Sequence, residues 1–216
     1  MVRRIIDISV GISSDMPVYP GDPKPSIENV FSIDKDGFAV SKVGIGTHTG
    51  THIDAPSHIL KDGASIDMVS IDHFLGRAVV LDLSYMEKDI SRDDLESCFK
   101  SSDVYKNAEI DILLLKTVMH SFEPVYSDIH GLTVGLDKTV GQWILEYGFR
   151  TVGIDTLSVD SDPGLSNHKL LLENDVCIIE NLDLAEVRGG IYEFICFPLK
   201  LIGCDASPAR AILIEI

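Results

Sequence analysis

Residues Gly46–His58 read G-T-H-T-G-T-H-I-D-A-P-S-H. Four of these side chains are of kinds that bind metal ions: His48, His52, Asp54 and His58. Neutral imidazole and carboxylate together suit a borderline divalent ion such as zinc or manganese. All four positions are even, and side chains alternate with a period of two in an extended segment. The segment therefore predicts an extended chain whose four side chains converge on one metal site.

Two other interpretations of this segment are a helix and a chance cluster of histidines. A helix is disfavoured because Gly50 and Pro56 interrupt it. Chance is the second alternative, since pairs of histidines four residues apart are common and a surface histidine needs no function. The added aspartate and third histidine argue against chance. The residues between them are also small, which lets backbone approach a ligand closely. These small residues are Thr47, Thr49, Gly50 and Thr51.

The composition is that of an ordinary globular protein with an acidic balance. The chain has 216 residues, of which 45% are hydrophobic and 24% charged, so one domain over residues 1–216 is expected. The net charge of −16 argues against a nucleic-acid partner and against an anionic membrane surface. An anionic substrate would need a local positive centre, which divalent ions supply.

Sorting signals and cysteines indicate the compartment. The start M-V-R-R-I-I-D-I-S-V is not expected to be a signal peptide, because Asp7 and Ser9 break its apolar run. No stretch reaches the length of a transmembrane helix. The four cysteines form no C-x-x-C pair, and Cys177 and Cys196 lie in apolar runs that predict burial. We therefore expect a cytoplasmic protein without disulfides.

Short β-branched or Leu-rich runs predict most of the secondary structure as strands. These runs lie at 5–10, 41–45, 78–83, 112–115, 152–154, 176–179 and 211–216. A helix is predicted from Ser91, where S-R-D-D resembles a capping box, towards residue 100. A second is predicted over 138–147 with Gly148 as its stop, and a shorter one near 168–174. Mixed strands and helices indicate an α/β or α+β protein.

The complete pattern H-x-G-T-H-x-D-x-P-x-H resembles the signature of the metal-dependent cyclase-like hydrolases, and within them the kynurenine formamidase (arylformamidase) branch. The similarity covers nearly the whole chain. Further matching segments are P-V-Y-P-G-D-P (17–23), G-I-D-T-L-S-V-D (153–160), E-N-L-D-L (180–184) and P-L-K-L-I-G-C-D-A-S-P-A-R (198–210). The resemblance implies a swivelling β/β/α fold of the α/β class, in which helices surround a central barrel-like sheet. It also implies a homodimer.

The resemblance further implies two divalent metals in each chain, either zinc or manganese. The first would be held by His48, His52 and Asp54, and the second by the shared Asp54 with His168 and Glu180. His168 and Glu180 stand twelve residues apart within matching flanks, as in the family. Taken alone, His168 would be interpreted as a surface helix residue, and Glu180 could be a solvated strand end. The shared flanks favour the metal site.

Two further residues acquire roles through the resemblance. His58 is the expected proton shuttle, because an imidazole titrates near neutral pH and Pro56 turns the chain between Asp54 and His58. Tyr19 stands where the formamidases carry a Trp, and its ring is expected to stack on an aryl substrate. A loop aromatic without that role is the alternative. The segment S-D-P-G-L-S-N-H (161–168) departs from the family pattern near the substrate pocket, so the resemblance does not by itself fix the substrate.

The implied function is metal-dependent amide hydrolysis, with N-formyl-L-kynurenine cleaved to L-kynurenine and formate. One alternative is a cyclic-amide hydrolase of the isatin type, and another is a metal-binding protein without catalysis. His168 and Glu180 together favour the two-metal formamidase. His58 argues against a closed structural site, which has no use for a proton shuttle.

Several other polar residues carry weaker signals. His73, His120 and His130 lack a motif and are interpreted as residues on the surface or around the site. Arg210 is expected to pair with a carboxylate. No role is assigned to three residues of the G-I-D-T-L-S-V-D segment, Asp155, Ser158 and Asp160.

Overall fold

A computed structural model describes residues 3–101, 109–117 and 134–216 of the chain. His120 and His130 therefore lie outside the described residues. The strands are β1 (Ile5–Asp7), β2 (Ser26–Phe31), β3 (Val40–Gly44), β4 (His52–Asp54), β5 (Leu75–Asp82), β6 (Ile112–Lys116), β7 (Thr151–Ile154), β8 (Cys177–Glu180), β9 (Gly190–Pro198) and β10 (Ala206–Glu215). The α-helices are α1 (Ile33–Asp36), α2 (Arg92–Lys100), α3 (Val140–Tyr147) and α4 (Ser166–Glu173). Short 3₁₀ helices cover Pro56–His58, Ile66–Met68 and Ile71–Phe74.

Strand β10 closes the main sheet on itself. Residues Ala206 to Pro208 pair antiparallel with β4, while residues 209–215 pair antiparallel with β9. Because β9 also pairs with β5, and β5 to β8 are mutually parallel, the strands form a closed ring in the order β10, β4, β8, β7, β6, β5, β9. Strand β1 pairs beside β10, and β2 and β3 form a separate hairpin. The predicted α/β class with a barrel-like sheet is confirmed.

Both faces of the parallel strands are buried, which explains their continuous apolar runs. In β5, Ala78 and Val80 face the apolar interior of the barrel, whereas Val79 and Leu81 face the outer cluster formed with the helices. Trp143 of α3 is fully buried in that outer cluster. The interior of the barrel and the outer cluster thus lie on opposite faces of the same strands. Glu180 stands at the carboxyl end of one of them, β8.

The helix predictions are confirmed because their signals are local. Ser91 caps α2, and its hydroxyl and the Asp94 carboxylate form the reciprocal bonds of a capping box. Helix α3 ends at Gly148, which adopts φ 76°, the left-handed conformation that glycine favours. The third predicted helix is observed as α4. No helix in the described part of the chain is long and apolar enough to cross a membrane.

Some strands differ from the sequence prediction. β2 and β9 were not predicted, and β10 begins at Ala206 rather than near residue 211. The added part of β10 contains Pro208, which lacks a backbone N–H. It is accommodated in β10 opposite His52. The predicted burial of Cys177 and Cys196 is confirmed.

The extended segment predicted for residues 48–58 is only partly correct. Strand β4 covers no more than His52 to Asp54. His48 lies in the turn before it, and His58 lies in the 3₁₀ helix that Pro56 opens. Convergence of the four side chains therefore arises from a turn, a short strand and a helical turn, rather than from one extended face.

Candidate metal centre

Strand β4 carries the centre of the site. It lies between β8 and β10, and His52 is directly opposite Glu180 on β8. Cross-strand partners share one face of a sheet, so both side chains project to the same side. Asp54 shares that face, whereas Ile53 points the other way into the barrel interior.

His48 reaches the strand from the preceding turn. Its Nδ1 lies 3.0 Å from Oδ1 of Asp54, and its ring centroid lies 4.9 Å from that of His52. The turn depends on Gly50, whose φ is 66°. A β-carbon at Gly50 would lie 3.1 Å from Ile12, so a larger residue would be both strained and crowded there.

His168 reaches the site from the first turn of α4. The carboxylate of Asp160 accepts hydrogen bonds from the backbone N–H groups of Asn167 and His168, at 2.9 and 3.0 Å. It also accepts one from Nδ1 of His168 at 2.8 Å. Asp160 therefore fixes both the helix start and the imidazole. This function was missed by the sequence analysis, although the residue ends the matching G-I-D-T-L-S-V-D segment.

The two oxygens of Asp54 face different partners. Oδ1 lies 3.0 Å from Nδ1 of His48 and 3.4 Å from Nε2 of His52. Oδ2 lies 3.4 Å from Nε2 of His168. The carboxylate of Glu180 spans the far side, at 3.5 Å from His52 and 3.3 Å from His168. Asp54 thus lies between His48 and His52 on one side and His168 on the other, and Glu180 reaches both sides. His52, Asp54 and Glu180 offer ligand atoms within 4.8 Å of one another, a spacing that could hold a metal ion.

Burial at the centre is nearly complete, and its polar atoms are unsatisfied. Asp54 is 0% exposed and His52 is 1% exposed. Both carboxylate oxygens of Asp54 and Nε2 of His52 lack a hydrogen bond of normal geometry, although imidazole nitrogens lie close by. An unpaired buried charge is costly, and buried charges are normally paired or bind metals. These orphaned atoms are the observation that makes the donor set fit divalent cations.

The raised pKa values of the histidines in the cluster reflect the negative charge of its buried carboxylates. Burial disfavours a charged His52, but the carboxylates of Asp54 and Glu180 outweigh this and raise the pKa of His52 to about 10. For His168, burial is likewise outweighed by Asp160, Asp54 and Glu180, and the pKa rises to about 12. A site that holds protons this strongly also attracts cations, and a metal that binds must displace those protons.

His48, His52 and His168 each have one imidazole nitrogen in contact with an oxygen atom outside the centre of the cluster. Nδ1 of His52 contacts the carbonyl oxygen of Gly50 at 2.8 Å. Nδ1 of His168 contacts Asp160, and Nε2 of His48 contacts Asp205 at 3.0 Å. Such outer partners orient metal-binding histidines in proteins generally. The other imidazole nitrogen of each residue faces the carboxylate of Asp54.

His58 lies beside this cluster. Its ring centroid is 4.2 Å from that of His48, and its side chain is 27% exposed. Burial lowers the pKa of His58 below its ordinary value, so its neutral form persists into mildly acidic solution. Its nitrogen can also be grouped with His48 and Asp54, with ligand atoms within 4.8 Å of one another. His58 is therefore placed where it could either transfer protons or bind an ion.

A cavity of about 230 Å³ opens over the cluster. His58, His168 and Glu180 line its floor, together with His48 and His52. Its walls are mainly apolar and include Met16, Val18, Tyr19, Leu157 and Leu165. Tyr19 is 42% exposed, so its ring is open to a ligand entering the cavity. The predicted substrate residue therefore lines the same cavity as the predicted metal ligands.

Residues outside the predicted site are placed as follows. Arg210 pairs with Asp7, as expected. The interpretation of His73 as a residue on the surface or around the site is wrong, because it is buried and contacts the backbone oxygen of Arg150. Asp155 is buried and accepts hydrogen bonds from Thr117, and burial raises the pKa of its carboxyl to about 7.

The chain is similar to known proteins in sequence and in structure. A family model described as "Putative cyclase" matches residues 6–161. A kynurenine formamidase of Bacillus anthracis is 34% identical over 211 residues, covering 96% of both chains. A structure described as a predicted metal-dependent hydrolase from Bacillus stearothermophilus has a TM-score of 0.82 at 30% identity and covers 100% of both chains.

Isatin hydrolase A from Labrenzia aggregata has a TM-score of 0.84, covering 98% of this chain and 93% of its own. At 21% identity, that likeness shows the shared fold. The family model spans more than half of the chain, and the formamidase relative spans nearly all of it. The chain belongs to the Cyclase family.

Proposed function

We propose that this chain is a metal-dependent amide hydrolase that cleaves aryl formamides, with N-formyl-L-kynurenine as the favoured substrate and L-kynurenine and formate as products. The observation that carries the proposal is the buried, unsatisfied carboxylate of Asp54 between two sets of donors beneath an apolar-walled cavity. The relatives named kynurenine formamidase, similar over 96% of the chain, support the choice of substrate.

Two divalent ions, zinc or manganese, are proposed for the two halves of the site. His48, His52 and Asp54 would hold the first, and Asp54, His168 and Glu180 the second. All the donors are imidazole nitrogens or carboxylate oxygens, which suit zinc and manganese. When bound, such ions polarise a carbonyl and lower the pKa of water.

The protein's own residues supply binding and proton transfer. The apolar walls receive the aryl part of the substrate and exclude water around it. Neutral His58 accepts the proton of the attacking water, and then delivers a proton to the nitrogen of the leaving arylamine. Its lowered pKa keeps it ready to accept at neutral pH. The balanced outcome is cleavage of the formyl C–N bond with addition of one water.

A substrate panel tests the function. Protein loaded with zinc or manganese is expected to hydrolyse N-formyl-L-kynurenine and simple aryl formamides, and a chelator is expected to abolish turnover until metal is restored. An alkyl formamide and the cyclic amide isatin serve as comparison substrates. Faster turnover of isatin would favour the cyclic-amide alternative. Metal binding without hydrolysis of any substrate would leave a metal-binding protein and exclude the proposed activity.

Tyr19→Ala is expected to raise KM for aryl substrates with little change in kcat or in metal content. Loss of an aromatic contact costs about 0.5–1.5 kcal/mol beyond area burial, or about 2- to 12-fold in binding. Tyr19→Phe is the matched control, because it keeps the ring and removes only the hydroxyl. Steady-state kinetics of the two variants decide the matter. An unchanged KM in Tyr19→Ala would show that the ring is only a loop aromatic.

A homodimer is proposed from the β2–β3 hairpin. Every residue of both strands is exposed, and the exposed side chains include the large apolar residues Ile27, Phe31, Val40 and Val43. A two-stranded hairpin with no further cover is at best marginally stable in water. A second copy of the chain would bury these apolar side chains. Sedimentation equilibrium measures the assembly, and a monomer at micromolar concentration would exclude it.

A further inference from the structure

The carboxylate of Asp205 contacts two histidines of the site at once. Its Oδ2 lies 3.0 Å from Nε2 of His48 and 3.6 Å from Nδ1 of His58. Its Oδ1 accepts a hydrogen bond from the hydroxyl of Thr47 at 3.1 Å. One carboxylate thus touches the turn that carries His48 and the ring of the proposed proton shuttle.

The main sheet fixes the position of Asp205. The residue directly precedes β10, whose Ala206 is paired with Asp54. The backbone oxygen of Asp205 accepts a hydrogen bond from the N–H of Ala55 at 2.9 Å. The preceding residue is also held, because the oxygen of Cys204 accepts from the N–H of Ile66 at 2.9 Å. The half-exposed carboxylate therefore stands on a backbone tied to the strand that carries the metal ligands.

The contacts of His48 indicate which imidazole nitrogen would bind a metal. Both nitrogens lie 3.0 Å from a carboxylate oxygen, Nε2 from the half-exposed Asp205 and Nδ1 from the buried Asp54. An ionised carboxylate only accepts hydrogen bonds, so once a metal takes the lone pair of Nδ1, the proton of neutral His48 belongs on Nε2 beside Asp205. A histidine binds metal through an unprotonated nitrogen. His52 and His168 differ, because their Nδ1 atoms are engaged and their Nε2 atoms face the centre.

We propose that Asp205 is a positioning residue that makes His48 bind its metal through Nδ1, and so supports the half of the site formed by His48 and His52. The inference rests on the two-ion site proposed above. In the other half, the carboxylate of Asp160 contacts Nδ1 of His168 and so leaves Nε2 to face the centre. The two halves thus have separate carboxylate partners, and loss of Asp205 acts on one of them.

Asp205→Ala is expected to weaken binding of one of the two zinc ions by about 10- to 100-fold, the usual effect of losing an outer partner of a ligand. The affinity of the second ion is expected to stay unchanged. Competition with a chromophoric chelator measures both affinities. Asp205→Asn keeps an oxygen acceptor for His48, so it should restore part of the lost affinity. A residue that merely held the loop would weaken both ions together.

Asp67→Ala is the matched control. Asp67 accepts a hydrogen bond from the N–H of Gly203 in the same connection, but it does not contact the site. Its loss should leave both zinc affinities unchanged. Equal weakening of both ions in Asp205→Ala, or no weakening of either, would overturn the inference. Failure of the wild-type protein to bind two ions would instead contradict the proposed function.

The nitrogen assignment has its own readout. Long-range ¹H–¹⁵N spectra of histidine-labelled, zinc-loaded protein are expected to show one zinc-binding histidine attached through Nδ1 and carrying its proton on Nε2. His48→Gln identifies that signal by its disappearance. Signals showing every zinc-binding histidine attached through Nε2 would overturn the inference even if Asp205→Ala weakened metal binding.

Discussion

Asp54→Asn is expected to cause the largest loss of any single substitution in the site. Wild-type protein should bind close to two ions per chain, whereas Asp54→Asn should bind fewer than one. The carboxylate oxygens of Asp54 face His48 and His52 on one side and His168 on the other. Loss of the negative charge therefore weakens metal binding in both halves of the site. Lost metal assistance is worth several kcal/mol, so turnover should fall by on the order of 10³-fold or more.

Glu180→Gln is the matched comparison for this prediction. It also replaces a buried carboxylate by an amide of the same size, but Glu180 is proposed to bind only the ion shared with His168. Elemental analysis after saturation should find about one ion per chain lost in Glu180→Gln, and circular dichroism checks that both variants fold. An Asp54→Asn protein that kept two ions and wild-type turnover would rule out the bridging role.

His58→Ala is expected to lose about 10²- to 10⁴-fold in kcat while keeping both ions, the usual range for a general acid–base group. Three donors, His48, His52 and Asp54, already serve the first proposed ion, and a fourth would close its shell. Elemental analysis and steady-state kinetics on the same sample separate the two roles. Loss of metal in proportion to activity would make His58 a ligand.

The pH profile adds a second test of His58. Because burial lowers the pKa of His58, its imidazole stays neutral at pH values below the ordinary pKa of histidine. Activity should therefore fall only as the pH drops through this lowered pKa. In His58→Ala, that acidic limb should disappear from the residual activity. His58→Gln, which keeps the size of the side chain but cannot take up a proton, should behave like the alanine variant. An unchanged acidic limb would assign it to another group.

Local signals account for the parts of the fold that were predicted correctly. The capping box at Ser91 and the glycine stop at Gly148 act within one turn of their helices, so a short stretch of sequence contains them. The parallel strands were predicted because both of their faces are buried, which produces continuous apolar runs. β2 and β9 lack that signal: β2 is exposed throughout, and β9 alternates in burial.

The sequence by itself predicted the candidate donors of the site, because His48, His52 and Asp54 lie in one short segment and the chain around it resembles a family. It also supplied His168 and Glu180, although only through that resemblance. Pro56 also predicted a turn between Asp54 and His58, but the sequence did not show that a 3₁₀ helix forms this turn.

Tertiary structure decided how those donors meet. Strand register places Glu180 opposite His52 and Ala206 opposite Asp54, so that Asp205 is hydrogen-bonded to Ala55, and such pairings depend on contacts between distant segments. Asp160 and Asp205 therefore became recognisable as partners of His168 and His48 only in the folded chain. An aspartate in sequence does not reveal which imidazole it will contact. Strand pairing brings Asp205 to His48 across 157 residues, whereas the connection into α4 brings Asp160 to His168 across 8 residues.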